Sequence, residues 1–450
     1  MENNLEKRYG LVTAIAMVIG IVIGSGVFFK AEKILKATGA DLMLGVWAWL
    51  LGGVIMVSCA YVFANLGTRY ERVNGLVDYA EAVVGKRYGY WIGWFMTLIY
   101  YPTLTSVLAW VSARYTSVLF GWSIVGPECM VLAGMYLVMA YALNALSPVL
   151  AGKFQVSSTI IKLIPLFLMA IIGTVSGLKN GILIQNFTGG EFVTTDTAYP
   201  LFAALVATSF AYEGWIVATT INAELRDAKR NLPLALIFGT LFVVATYVFY
   251  YTGLAGSISI NTMLNGGEAA ARIAFSKMFS AVGGTILFVF IVISCLGTLN
   301  GLMLGCTRGM YALAIRSNNS SLELFKNVDP HARMATNSSI IGLLLAEFWL
   351  VYFYGANLTA QPWFGNFSFD SSELPIVTLY AMYIPIFILM MKKEKGMGFF
   401  KGILTPSIAL LSCIFMVVAA YYAHGNAVFY YLAIFAAIML LGIPFQNKQE

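Results

Sequence analysis

The sequence predicts an all-α polytopic membrane protein of about twelve transmembrane helices, and three observations carry that prediction. Of its 450 residues, 60% are hydrophobic and only 11% charged. The mean hydropathy is +0.80. Apolar runs of about 20 residues, the length that crosses roughly 30 Å of hydrocarbon, follow one another with short polar breaks. Such a chain leaves no soluble domain of useful size. Long runs without alternation also exclude a transmembrane barrel.

Spans are expected near 10–36, 43–66, 88–119, 128–146, 155–176, 200–222, 233–255, 283–314, 337–354, 374–391, 402–421 and 427–445. The first has the length of a signal peptide, but its interior glycines, the lack of a cleavage site and the spans behind it argue that it stays in the fold. Basic residues of short loops mark the cytoplasmic side. One loop set holds Lys7, Arg8, Arg69, Arg72, Lys153, Arg226, Lys229, Arg230, Arg333, Lys392, Lys393, Lys395 and Lys448 among others. The opposite set holds only Lys30, Lys33, Lys36, Arg114, Lys179, Arg272 and Lys277. Both termini are therefore expected in the cytoplasm, and the formal charge of +6 reflects topology and not nucleic-acid binding.

Within the first span, Gly20 and Gly24 form a pattern that suits close helix packing, but Gly24-Ser25-Gly26 is denser than packing requires. Each interior glycine weakens a helix by about 1 kcal/mol relative to alanine. The segment Ile23–Val27 therefore reads as an unwound stretch whose N–H groups, at the start of a second half-helix, face an anion. The second, third and fourth spans are ordinary apolar crossings. The fifth carries Lys162 between Ile161 and Leu163. An ammonium at membrane depth costs about 3 kcal/mol. It snorkels to the nearer surface, polarises the unwound backbone of the first span, or occupies the place where a sodium-using carrier would hold its ion.

The sixth span repeats the irregularity with Ser209-Phe210-Ala211-Tyr212-Glu213-Gly214-Trp215. Glu213 lies about ten residues from either end of the span, so it faces a cavity or a buried partner. Broken helices at matching places in two five-helix halves point to an inverted-repeat transporter with its site at the midplane. The repeats would be 1–176 and 200–391, with 402–445 contributing two additional helices. The remaining spans read as apolar crossings.

Cys59, Cys129, Cys295, Cys306 and Cys413 are scattered without metal-ligand spacing, and His331 and His424 lie in loops without a nucleophile or zinc motif. No cofactor, no metal and no enzymatic activity are expected.

Several stretches resemble the amino acid–polyamine–organocation superfamily, and within it the L-type amino acid transporter group, nearest to bacterial serine/threonine and alanine/serine/cysteine exchangers. They are Val22-Ile23-Gly24-Ser25-Gly26-Val27-Phe28, Phe210-Ala211-Tyr212-Glu213-Gly214-Trp215, Arg230-Asn231-Leu232-Pro233-Leu234, Lys162 after Lys153-Phe154-Gln155-Val156, and Leu299-Asn300-Gly301 with Arg308. The resemblance implies a LeuT-like fold of five plus five inverted helices and two more, with helices 1 and 6 discontinuous. It implies sodium-independent exchange of small neutral amino acids by alternating access in the plasma membrane. By that similarity the substrate carboxylate meets N–H groups around Ser25, Gly26 and Val27, beside Gly24. The substrate ammonium meets carbonyls of Ile23, Phe210, Ala211 and Glu213, next to Tyr212 and Gly214. Phe210 resembles the aromatic gate over bound substrate, while Trp215, Tyr247 and Asn300 are further candidates; as an alternative, Phe210 is an ordinary core residue.

Two departures matter. Asp227 precedes Ala228 where relatives often have proline, and Glu213 stands where many animal members carry a small residue. Glu213 keeps a proton-coupled symporter, or a carrier of cationic amino acids or polyamines, as the alternative. Animal members bind an ancillary glycoprotein through a loop cysteine; Cys129 lacks the surrounding pattern, so no such partner is expected. The long aromatic loop 355–372 has no role assigned by sequence.

Overall fold

A computed structural model describes residues 10–70, 75–189, 197–217, 219, 225–267, 269–329, 334–394 and 396–446. Lys7, Arg8, Arg72, His331, Arg333, Lys395 and Lys448 lie outside the described residues, as do residues 218 and 220–224 at the end of the sixth expected span. Eleven helices among the described residues are long and apolar enough to cross a membrane, and one bent pair makes a twelfth. That pair is α1 (Leu11–Val22) and α2 (Gly26–Ala37), set at 47° to one another.

The second crossing is α3 (Leu42–Arg69), whose first turn is capped by the Asp41 carboxylate accepting from the Leu44 amide at 2.9 Å. A short helix α4 (Leu76–Val83) precedes the third crossing, in which α5 (Lys86–Phe95) passes through a π-helical turn at Met96–Tyr100 into α6 (Tyr101–Phe120). The fourth is α7 (Pro127–Leu146). The fifth joins α8 (Pro148–Leu168) to α9 (Thr174–Lys179) through a second π-helical turn, Met169–Gly173. After the short α10 (Ile182–Thr188), the sixth begins as α11 (Pro200–Ala211).

The seventh is α12 (Ala228–Ser257), entered at Asp227, which adopts φ +46° and whose carbonyl accepts from the Arg230 and Asn231 amides. The short α13 (Ile260–Gly266) leads into α14 (Ala269–Ala314), which bends at Phe279 and Ser280, so its straight crossing starts close to the expected residue 283. Then follow α15 (Thr336–Asn357), α16 (Leu374–Lys393), α17 (Thr405–His424) and α18 (Ala427–Leu440).

The crossings near the middle of the assembly are α1, α3, α6, α11, α12 and α14, whose mutual packing buries Trp49, Tyr212, Tyr247 and Tyr250. By contrast α18 buries only Tyr431, and side chains such as Leu411, Phe429 and Leu440 project outward as lipid-facing surface. One seam is made of backbone alone. A Cβ added to Gly253 of α12 would strike the Met169 carbonyl, one on Gly256 would strike the Gly173 carbonyl, and one on Gly177 of α9 would strike Gly256. This is the small-residue contact by which membrane helices approach most closely.

Candidate functional site

The first span does unwind where the glycines cluster. After Val22 the chain turns extended at Ile23 (φ −70°, ψ 102°), and α2 starts at Gly26 with no side-chain cap from Ser25. The amides of Gly26, Val27 and Phe28 therefore begin a helix with their N–H groups free of intrahelical bonds, the partial positive end of its dipole. Ile23, Gly24, Ser25, Gly26 and Val27 are all buried. Among the described residues Ser25 Oγ has no hydrogen-bond partner of ordinary geometry, and the Cys295 thiol lies beside it.

Both readings of the glycines hold at once. A Cβ on Gly20 would come within 2.7 Å of Thr159 on α8, and one on Gly24 within 2.6 Å of Thr298 on α14, so these two also serve packing. Gly26 serves the second break: a Cβ there would collide with the Cα of Ala211.

In the sixth span α11 ends at Ala211, Tyr212–Gly214 form a turn, and Gly214 takes φ +103°, which a side chain disfavours. The C-terminal carbonyls of α11 thus lie against the N-terminal turn of α2. The carbonyls of Ile23, Phe210 and Glu213 have no donor among the described residues. Such a pair of ends, one helix start beside one helix finish, offers donors to an anion next to acceptors for a cation.

Three side chains fix the breaks. Lys162 on α8 is fully buried and donates from Nζ to the Gly20 carbonyl at 2.5 Å, so it does not snorkel to a surface. Tyr247 on α12 reaches neither Lys162 nor solvent. Its hydroxyl lies 3.0 Å from both the Val22 and the Ala211 carbonyls, joining the two broken helices. Its ring stacks on Tyr212 at 5.2 Å, and Tyr212 donates to the Trp49 carbonyl at 2.9 Å.

Glu213 is 7% exposed and accepts from the Tyr100 hydroxyl through Oε1, while Oε2 is buried with no hydrogen-bond partner among the described residues. Tyr100 occupies the π-helical turn of the third crossing, a backbone irregularity that re-aims a side chain and recurs at functional positions. Trp215 is fully buried between Phe63 and Tyr383, ring centroids 5.8 and 6.2 Å away. Asn300 does not join the group: its amide donates to the Ala151 carbonyl at 3.2 Å and accepts from Asn144 at 2.9 Å, tying α14 to α7 and α8. A polar residue at membrane depth has such structural uses, and spacing alone does not separate them.

Phe210 packs edge-on against Phe29 at 5.9 Å. Above it, at the end of the fold where α2 finishes, lies an ion cluster that the sequence reading did not identify. Lys30, 0% exposed, donates to Glu373 at 2.6 Å and to Ser372 at 3.1 Å. Lys33 donates to Asp370 at 2.7 Å and Glu373 at 2.6 Å, and His424 Nε2 lies 3.1 Å from Glu373 Oε2. Burial alone would raise both carboxyls, but the lysines outweigh it: Lys30 and Lys33 hold Glu373 well below the usual carboxylate range, and Lys33 foremost holds Asp370 below it. The loop 355–372 thus has a place, since its end supplies Asp370 and Ser372. One signal was available, because Lys30 and Lys33 fall inside the expected first span, where a cation needs a partner.

The opposite end is also tied. Arg69 of α3 meets Glu394 beyond α16 at 2.5 Å, and Arg316 beyond α14 meets Asp78 of α4.

The family described as amino acid permease matches residues 9–443. The chain is 30% identical over 399 residues to the serine/threonine exchanger SteT of Bacillus subtilis, covering 88% of this chain and 86% of that one. It is 27% identical over 312 residues to Asc-type amino acid transporter 1 of Mus musculus, covering 68% and 57%. The human large neutral amino acids transporter small subunit 2 is 28% identical over 312 residues, covering 68% and 58%.

Proposed function

The chain belongs to the amino acid permease family, and from that premise we propose that this multi-pass amino acid transporter is a sodium-independent exchanger of small neutral L-amino acids such as alanine, serine, threonine or cysteine. The observation that carries the reading is the apposition of two broken helices, with Gly26 at the start of α2 against Ala211 at the end of α11. The substrate carboxylate takes the N–H groups of Gly26, Val27 and Phe28, with Ser25 Oγ alongside. Its ammonium takes the carbonyls of Ile23, Phe210 and Glu213. The bulky Tyr100, Tyr212 and Trp215, all buried around the Glu213 turn, support a preference for a small side chain.

Lys162 supports sodium independence, since its ammonium reaches the backbone of α1 from within the membrane. Exchange is favoured by the likeness to a bacterial serine/threonine exchanger. Alternating access follows when Phe210 closes over the substrate from outside and the helices then rock to release it within. We further read 1–176 and 200–391 as the inverted repeats and 402–445 as an added pair, in a plasma-membrane protein with both termini cytoplasmic. Cys129 is fully buried, which favours a carrier working without a disulfide-linked glycoprotein.

The test is uptake of labelled serine by proteoliposomes in sodium-free buffer, with and without serine inside. Saturable uptake that requires internal amino acid, and that alanine, threonine or cysteine compete for, is the expected result. Uptake that proceeds into empty vesicles, or that needs sodium, refutes exchange as described. One observation favours a second reading: the buried Oε2 of Glu213, with no hydrogen-bond partner among the described residues, suits a proton or a cationic substrate group. An imposed pH gradient driving uptake into empty vesicles would favour proton coupling, and strong competition by arginine or putrescine would favour a cationic substrate.

A further inference from the structure

We propose that Cys59 and Cys413 are an oxidisable thiol pair, a modification site at which a small neutral peroxide closes a disulfide between α3 and α17 and locks the carrier. The locking rests on the alternating-access reading above; the bond itself does not.

The five cysteines are free thiols, all buried, and they fall into two environments. Cys129, Cys295 and Cys306 each face a hydroxyl, that of Ser117, Ser25 and Thr105 in turn. Cys59 of α3 faces another thiol. Its Sγ lies 3.7 Å from Sγ of Cys413 on α17, 354 positions along the chain, and neither residue has any exposure. The residues before them also meet, Ser58 Oγ standing 3.3 Å from Ser412 Oγ. Two short side chains from each helix thus make a seam in which the sulfurs need only close from contact to the roughly 2.0 Å of a bond.

The bond would join elements with different duties. α3 is fastened to the broken sixth span: its Trp49 carbonyl accepts from Tyr212, and a Cβ on its Gly52 would strike the Thr208 hydroxyl of α11. One turn beyond Cys59, Phe63 packs on Trp215 at 5.8 Å. α17 packs on α16 and turns Leu411, Val418 and Tyr421 outward. When the breaks rock, α3 goes with them and the two thiols part. A covalent bridge forbids that separation.

The thiols lie out of reach of water, so a charged oxidant does not arrive there, whereas hydrogen peroxide is small and uncharged. One thiol takes an oxygen from peroxide and becomes a sulfenic acid, releasing water. The second thiol then displaces that oxygen as a second water, and the S–S bond forms. The two sulfurs together give up two electrons, peroxide gains two, and both thiol protons leave in the waters. A small neutral dithiol reverses the bond by exchange.

The test treats the full chain in proteoliposomes with hydrogen peroxide, maps its peptides by mass spectrometry, and follows serine exchange before oxidation, after it and after dithiothreitol. A linked Cys59–Cys413 peptide should appear, lighter by two hydrogens than its halves together. Exchange should be lost in proportion to the linked fraction and return with dithiothreitol. Cys59→Ala and Cys413→Ala should keep their exchange through the same treatment, with Cys59→Ser and Cys413→Ser serving where alanine does not fold. Oxidation that leaves the two peptides unlinked overturns the site. A linked chain that exchanges as before overturns the lock, as does a Cys413→Ala chain inhibited as strongly as the parent. If the reduced parent exchanges no serine, the transport reading fails and the lock with it, while the peptide map still decides the bond.

Discussion

Replacing Tyr247 by phenylalanine removes the hydroxyl that reaches the backbone carbonyls of both broken helices. The ring would keep its contacts with Trp49 at 5.4 Å and Tyr212 at 5.2 Å, so packing is preserved and the hydroxyl alone is tested. One hydroxyl has one proton for two carbonyls at 3.0 Å each, so the bridge counts as a single three-centre bond and not as two. Its loss leaves buried carbonyl oxygens without that donor, which costs about 1–3 kcal/mol. If the bridge forms only while both sides are closed, the same energy shifts the closed population by about 5- to 150-fold, since 1.4 kcal/mol is a factor of ten. Thermal unfolding in detergent reads the first effect, and half-saturation concentrations for serine on the two faces of proteoliposomes read the second. A phenylalanine variant with the parent Tm and unchanged half-saturation on both faces would show that Tyr247 does not hold the two breaks together.

Lys162→Ala should abolish exchange or erase the difference in apparent affinity between the two faces, because the Gly20 carbonyl loses its ammonium; unaltered kinetics on both faces would remove Lys162 from the mechanism. Gly26→Ala drives a methyl into the Ala211 backbone and should destabilise by about 1–3 kcal/mol while blocking serine binding. Tight binding in a calorimeter would contradict the apposition. Asp370 and Glu373 have folded pKa values below their unfolded ones, so the stability they supply is present above about pH 4 and lost as the pH falls through the lower folded values. A Tm profile on acidification should show this, and Glu373→Gln should flatten it; a parallel profile for the variant would deny the cluster that role.

The breaks were legible because glycine at membrane depth is conspicuous: Gly24 and Gly26 around Ser25, and Gly214 after Glu213, mark where helices cannot continue smoothly. Lys162 was legible for the opposite reason, as a charge among apolar neighbours, although its target at Gly20 was not. What stayed hidden were pairings set by helix rotation and long-range contact. Tyr100 meets Glu213 because a π-helical turn rotates it inward, and no spacing in Met96–Tyr100 announces that turn. Lys30 and Glu373 are more than three hundred residues apart, and only the packed fold brings them to 2.6 Å. Asn300 illustrates the reverse error, a polar candidate whose amide is spent on Asn144 and Ala151.

The glycine seam between the fifth and seventh crossings has a mechanical corollary. Where main chain rests on main chain at Gly173, Gly253 and Gly256, no cushion of rotatable side chains remains to absorb sliding, so those two crossings form a keel. Lys162 and Tyr247 are both bolted to it, one from either plank. The fastenings that grip the first broken helix therefore keep their mutual spacing, and any stroke of the carrier must either tear both loose from that helix or drag it along whole.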